Sequence, residues 1–284
     1  MKIQNHTKFT FEYFIVSGSQ TPGAYTAKTK HIDESLLSDT AIVFTDVIRT
    51  ATTLVAAGAA GCKAIELKVK PKTEEYNLTP SVLPDLKWFY GGEENGNAIF
   101  GGNIRNSPLS IYPSQLEGNC LQFFSTNGAR ALAAITHSSP RAVYMMCEPN
   151  VEVTMKELIS KSYQRISFVG GGLYDSACVE DNYCCGRAIQ YLLDSGYFYI
   201  EQINDEARIM LNFAKPYLNN LDLLIQTISN SYLGKLLGYI DRSEDIAASI
   251  RGDGVQVEVW NRMQNTIMQL QWFGNVPLFI PRVL

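Results

Sequence analysis

"AIVFTDVIRTATTLVAAGAAG", residues 41–61, is the stretch whose reading decides the fold. It opens on an apolar run that reads as a buried strand and ends on Asp46. Arg49 and the threonines Thr50, Thr52 and Thr53 follow at once, ahead of an Ala/Gly-rich segment that reads as a helix. A strand buried in a parallel sheet has no need of a carboxylate and a guanidinium at its carboxyl end. In open α/β sheets, however, ligands bind in the crevice outside those ends. The stretch therefore predicts an α/β fold with its active site where strands pass into helices.

The same architecture recurs along the chain. "LQFFSTNGARALAAI", "RAVYMMCEPNVEVTMKELI" and "RISFVGGGLYDSACVEDNYCCGRAIQYLLDSG" each run from an apolar segment through a polar turn into a helical pattern. Strands alternating with helices at this spacing argue for parallel β-α units. "KFTFEYFIVSG", "CKAIELKV" and "WFYGGEENG" are expected as further strands, whereas "KTEEYNLTPSVLPDLKW" is too interrupted by proline for one regular helix. The C-terminal third is expected to be mostly helical, with "VPLFIPRVL" adding an edge strand. One compact domain over 1–284 is expected, or two closely packed lobes, 1–150 and 151–284. Residues 17–38 read as an inserted N-terminal loop.

Composition narrows the function classes. Of 284 residues, 46% are hydrophobic and 18% charged, an ordinary globular balance. A net charge of −4 gives no electrostatic footprint for nucleic acid, so a small-molecule substrate is the better default. No apolar stretch reaches the ~20 residues needed to span a bilayer, and the N-terminal residues do not resemble a secretory signal. The six cysteines show no CxxC spacing, and with three histidines a zinc site is not expected. Most of the cysteines sit among apolar or small residues, as buried free thiols do. These features place the protein in a reducing, cytoplasmic setting. The oligomer is left open, a homodimer included.

Four polar clusters carry the chemistry. In the first, Asp46 can cap the following helix, as can the threonines; capping alone needs no arginine beside it. The alternative is that Asp46 holds a metal or attacks an electrophile while Arg49 and a threonine grip an anion. The second, "YGGEENGNAIFGGNIRNSPLS", is a glycine-rich loop able to bring backbone close to a ligand, with Glu93 directly after a strand. In the third, "STNGARA", Ser125 or Thr126 can cap a helix; equally, hydroxyls, an amide and free N–H groups make a phosphate cradle with Arg130 one turn in. In the fourth, Glu180 and Asp181 lead a helix, where they either complement its dipole or coordinate Mg²⁺ through oxygen. Neither GxGxxG, GxxxxGK[ST] nor GxSxG is present, and no histidine lies in any cluster. Carboxylates, arginines, hydroxyls and backbone N–H groups remain, an inventory suited to metal-assisted handling of a phosphate or carboxylate.

These clusters, in this order, resemble the 2-phosphosulfolactate phosphatase family, enzymes of one coenzyme M biosynthetic route. "DVIRTATT" corresponds to the family's Asp-Val-Leu-Arg-Ala-Thr-Thr-Thr and "GGEENG" to its Gly-Glu-Arg loop. "RNSP" corresponds to Gly-Asn-Ser-Pro, "STNGARAL" to Thr-Thr-Asn-Gly-Thr-Arg-Ala-Leu, and "VEDNYCCGRAI" to its Glu-Asp-x-x-Cys-Ala-Gly segment. "NDEA", Asp245 and Asp253 also fall where the family has matching residues. The resemblance implies a three-layer α/β/α sandwich with a mostly parallel or mixed sheet, and Mg²⁺-dependent hydrolysis of a phosphate monoester of a small acid. By position it carries over Asp46, Arg49, Thr52, Thr53, Glu93, Asn106, Ser107, Thr126, Asn127, Gly128, Arg130, Glu180 and Asp181. Asp46 and Asp181, with Glu180, would hold Mg²⁺; Arg49, Arg130 and the "STNG" turn would bind phosphoryl oxygens. Asp46 as covalent nucleophile is the alternative. The departures bear on substrate: Glu94 replaces the family's arginine, Asn103 its aspartate, and Arg105 stands where the family has glycine. Arg105 can meet a second acidic group, so another phosphorylated small acid is a candidate substrate beside phosphosulfolactate. The rival reading is a catalytically silent homologue that keeps the anion site.

Overall fold

A computed structural model describes residues 40–69, 82–94, 97–99, 101–137, 140–163, 165–173 and 177–284. The strand expected at 8–18, the loop at 17–38 and most of the proline-interrupted segment lie outside the described residues. The elements run β1 (Thr40–Thr45), α1 (Thr52–Ala59), β2 (Ala64–Val69), β3 (Trp88–Glu94), β4 (Asn97–Ala98), β5 (Ile104–Arg105), α2 (Pro113–Leu116) and β6 (Cys120–Ser125). Next come α3 (Asn127–His137), β7 (Ala142–Met146), α4 (Val151–Lys161), β8 (Arg165–Gly170) and α5 (Val179–Asp194). The C-terminal part contributes α6 (Asp205–Ala214), α7 (Leu221–Asn230), α8 (Tyr232–Tyr239), α9 (Glu244–Arg251), α10 (Val257–Met263), β9 (Thr266–Phe273) and β10 (Val276–Val283).

The strands form one mixed sheet in the order β4-β3-β6-β2-β10-β9-β7-β1-β8, with β5 beside β3. β1 pairs parallel with β7 and β8, and β6 pairs parallel with β2 and β3. Between these two parallel sets lies the antiparallel hairpin β9–β10. Period-two alternation explains how the sheet is buried on both faces. Ile42 and Phe44 of β1, with Val143 and Met145 of β7, enter one apolar core. Ala41 and Val43, with Tyr144 and Met146, enter the other. Helices α1, α3 and α10 supply the first core, and α4 to α8 the second. A helical layer on each face follows.

α1 is apolar or small all round, and each of its residues is buried. Such a helix belongs inside a protein. It packs against β2, β7, β9 and β10, with Gly58 facing the hairpin. A Cβ at Gly58 would lie 2.7 Å from Met268 Sδ and 2.9 Å from Pro281 Cβ, so the missing methyl lets helix and hairpin close. β1 and β6 are separated by β7, β9, β10 and β2. In a flat sheet their ends would stand ~24 Å apart at the usual strand spacing. Instead Thr50 and Ser125, just past or at those ends, meet hydroxyl to hydroxyl at 3.2 Å. The sheet curls around α1, and that curl assembles the site.

The segment "VPLFIPRVL" is not an edge strand. It forms β10 in the sheet interior, between β9 and β2. Prolines have no N–H for a ladder and are ordinarily kept to sheet edges. The sheet accommodates them by limiting the β10–β2 pairing to one register pair, Phe279 with Ile65, flanked by Pro277 and Pro281. β9 was not anticipated: "TIMQLQWF" follows a helix and carries glutamines within the run.

Candidate active site

β1 delivers Asp46 into a widened turn, Val47–Ala51, closed by the Ala51 N–H donating to the Asp46 carbonyl at 2.7 Å. The Ile48–Arg49 peptide within it is cis. Thr52 Oγ1 donates to the Val47 carbonyl at 2.7 Å and Thr53 Oγ1 to the Arg49 carbonyl at 2.9 Å. Both threonines are fully buried, so their hydroxyls hold the turn and face no open space.

Asp46, Glu180 and Asp181 converge although α5 begins more than 130 residues after β1. The Val47 N–H donates to Asp181 Oδ1 at 2.9 Å and the Gly172 N–H to Asp181 Oδ2 at 3.2 Å. Asp181 thereby locks α5 to the ends of β1 and β8, beyond any interaction with its own helix dipole. Two glycines make room for Asp46. A Cβ on Gly171 would lie 2.8 Å from Asp46 Cβ, and one on Gly128 would lie 2.3 Å from Asp46 Oδ2. The three carboxyls are 8%, 2% and 2% exposed as residues. Burial pushes Asp46 up to about 6; the hydroxyl and N–H of Thr50 pull it back, Glu93 adds to the rise and Arg49 opposes it. Burial raises Glu180 to about 7, with the Asp46 charge adding to it. It also raises Asp181 well above the carboxylate range, and Glu180 and Asp46 contribute. Glu180 Oε2 is buried with no partner among the described residues. Donor atoms of Cys178, Glu180 and Asp181 lie within 4.8 Å of one another.

Arg49 lies on the other side of the turn. Its Nη1 donates to Asp245 Oδ2 at 3.2 Å and its Nη2 to Glu93 Oε2 at 3.3 Å. Ser107 Oγ donates to the other Asp245 oxygen, and the Leu109 N–H donates to Ser107 Oγ at 3.2 Å. One guanidinium thus ties together the β1 turn, β3, the loop after β5 and α9. Burial raises the Asp245 carboxyl, against the pull of Ser107 and Arg49.

Asn106 Nδ2 reaches Thr50 Oγ1 at 3.5 Å, a long contact, and its Oδ1 is buried without a partner among the described residues. Asn127 Oδ1, at the start of α3, is in the same condition. Thr126 and Asn127 are half-buried in the β6–α3 turn, Gly128 touches Asp46, and Arg130 is half-buried one turn along. Arg105 is exposed, paired in register with Gly92 of β3. Sequence reasoning missed Gly171 and Gly172, whose small size and N–H serve Asp46 and Asp181. It also missed the pairing of Thr50 with Ser125 and assigned no role to Asp245. The three-glycine run after β8 was the available signal for the first pair. All six cysteines are buried, Cys184 and Cys185 within the packing of α5. A separate cavity of about 660 Å³, lined by Glu148, Glu152, Arg187, Arg251 and Trp260 among others, includes none of these groups.

Fold and site together define an α/β protein whose strand-end crevice sets buried carboxylates beside an arginine and the start of a helix. The chain belongs to the 2-phosphosulpholactate phosphatase family, whose model matches residues 26–259. Relatives named "Probable 2-phosphosulfolactate phosphatase" bear this out. One from Prochlorococcus marinus is 25% identical over 222 residues, covering 78% of this chain and 88% of the relative. One from a Cyanothece species is 29% identical over 203 residues, covering 71% and 80%. A third, from Gloeothece citriformis, is 29% identical over 221 residues, covering 78% and 88%. Among the described residues, no helix is long and apolar enough to cross a membrane.

Proposed function

We propose that the protein is a Mg²⁺-dependent phosphatase, hydrolysing a phosphate monoester of a small acid to the hydroxy acid and phosphate. The substrate is 2-phosphosulfolactate or a related phosphorylated hydroxy acid. The observation that carries this is the convergence of Asp46, Glu180 and Asp181, buried and mutually repelling, against the start of α3 and near Arg49. A buried carboxylate cluster is costly unless a cation shares it.

The donor set fits Mg²⁺. Glu180 and Asp181 offer carboxylate oxygens, which suit a hard cation, in a cluster that also holds the Cys178 thiol, and Glu180 Oε2 has no hydrogen-bond partner among the described residues. Asp46, Glu180 and Asp181 would hold the ion; when bound it would neutralise charge on the phosphoryl oxygens and orient them. The chain's own groups do the rest. Arg49, Arg130 and the N–H groups around Asn127 and Gly128 bind phosphoryl oxygens, for which a guanidinium fork and a helix start are suited. Asp181 fixes Val47 and so the direction in which Asp46 enters. Thr52 and Thr53 hold the turn, and Asn106 and Ser107 keep the glycine-rich loop against it. Arg105, at the exposed rim, meets the second acidic group of the substrate. Catalysis on this reading is mainly positioning and charge stabilisation.

The test is phosphate release from a panel of small phosphorylated acids, phosphosulfolactate included, with Mg²⁺ or with EDTA. Chelator-sensitive release that is lost in Asp46→Asn supports the proposal. Arg105→Ala should raise KM about tenfold for doubly acidic substrates only, the worth of one modest ionic contact. No release from any ester by folded protein would favour an anion-binding homologue without turnover.

A further inference from the structure

The two acidic partners of Arg49 differ in kind. Asp245 is fully buried, with one oxygen taken by Arg49 and the other by Ser107. It sits on α9 between the core residues Ile246 and Ala248 and the Ser107 turn. Were Arg49 to leave, Asp245 would remain as a buried, half-paired carboxylate that cannot turn to water. Glu93 is different. Its side chain is 22% exposed, and it sits near the end of β3 beside Gly92. Arg49 grips the two through separate Nη atoms, so one contact can break while the other holds. The Arg49 and Glu93 charges both act on the Asp46 carboxyl, and Arg49 lies in the same turn that Asp46 opens.

We propose that Asp245 is a positioning residue: it anchors Arg49 through one amino group, while Glu93 occupies the other as a stand-in that the phosphoryl group displaces. The proposal rests on the phosphatase reading above. Ser107 completes the anchor by holding the far oxygen of Asp245, and the "RNSP" segment is thereby joined to Arg49 through Asp245. In the free protein Glu93 satisfies the guanidinium. On binding, a phosphoryl oxygen takes its place and Glu93 swings toward water.

The test uses inorganic phosphate as the probe, titrated calorimetrically into the Mg²⁺-loaded protein and read again as a product-inhibition constant. Glu93→Gln removes a charged competitor and should tighten phosphate about three- to tenfold, whereas Asp245→Ala frees the anchor and should weaken it at least tenfold. Asp245→Asn, which keeps an acceptor oxygen and guards against a variant that fails to fold, should recover most of that loss. Ser107→Ala should weaken phosphate about threefold without touching Arg49. A purely structural role would lower melting temperature without moving the two partners of one arginine in opposite directions. Phosphate affinity unchanged in both Asp245 variants, or weakened equally by Glu93→Gln and Asp245→Ala, would overturn the proposal alone. Absence of phosphate binding by the folded wild type would overturn the phosphatase reading, and this proposal with it.

Discussion

Gly128→Ala isolates the geometry of the site from its stability. Gly128 is the second residue of α3, and its missing Cβ faces Asp46. The added methyl carbon would stand 2.3 Å from Asp46 Oδ2. Ordinary carbon–oxygen contacts begin about 1 Å farther out, so the carboxylate must rotate or slide by roughly that distance. A displacement of ~1 Å at a reacting group can cost about 100-fold in rate. Folding should respond differently, because Gly128 has no positive φ and alanine in a helix is favoured over glycine by about 1 kcal/mol. That gain offsets part of the contact cost. The expected result is a fall of about two orders of magnitude in kcat with a melting temperature within a few degrees of wild type. The assay is steady-state phosphate release beside a thermal melt of the same preparation. Full activity in Gly128→Ala would refute the placement of Asp46 at the centre. So would a large loss of stability with an unchanged rate per folded molecule.

Two further outcomes follow from the carboxylate cluster. Asp46 and Glu180 titrate near about 6 and 7 in the folded protein, above their unfolded values of 3.8 and 4.5. Their contribution to stability is therefore present in full below the unfolded values and is lost as pH rises through about 6 and 7. For Asp46 alone the shift corresponds to roughly 3 kcal/mol. Melts in EDTA should give a higher midpoint at pH ~5 than at pH ~8, and Mg²⁺ should restore the midpoint at pH ~8 by binding the folded form. A midpoint that ignores both pH and Mg²⁺ would remove the case for a shared cation. The role of Asp46 is decided by the stereochemical course at an isotopically chiral phosphorus. Inversion marks one direct attack by water, whereas net retention marks two displacements through an Asp46 aspartyl-phosphate.

Local chemistry was the part of this molecule that its sequence expressed. "AIVFT" reads as a strand because the run and the polar turn after it are neighbours in the chain, and β1 occupies that stretch with one further residue, Thr40. "STNGARALAAI" and "VEDNYCCGRAI" read as helix starts for the same reason. What brings them together was not legible. The Val47 N–H that Asp181 accepts lies 134 residues away, and the Thr50–Ser125 contact depends on the curl of the sheet. Thr52 and Thr53 carried the right chemistry for gripping an anion, but in the folded protein their hydroxyls donate to the Val47 and Arg49 carbonyls of the widened turn. That "VPLFIPRVL" is an interior strand was not legible, because the tolerance of a one-pair seam beside Pro277 and Pro281 is a property of the whole sheet.

That seam has a bearing on how the polypeptide acquires its shape during synthesis. The hairpin β9–β10 is the only bridge between the two parallel sets of the described sheet, and it joins β7 through two register pairs and β2 through one. Residues 266–283 leave a ribosome long after β1 and β6 have emerged. Until they dock, α1 has only part of its enclosing wall, and nothing fixes Ser125 opposite Thr50. A nascent chain can therefore hold two locally ordered halves while the crevice between them stays unmade. Contacts of such long sequence separation close slowly. On this account the crevice is completed only when that one strand pair closes.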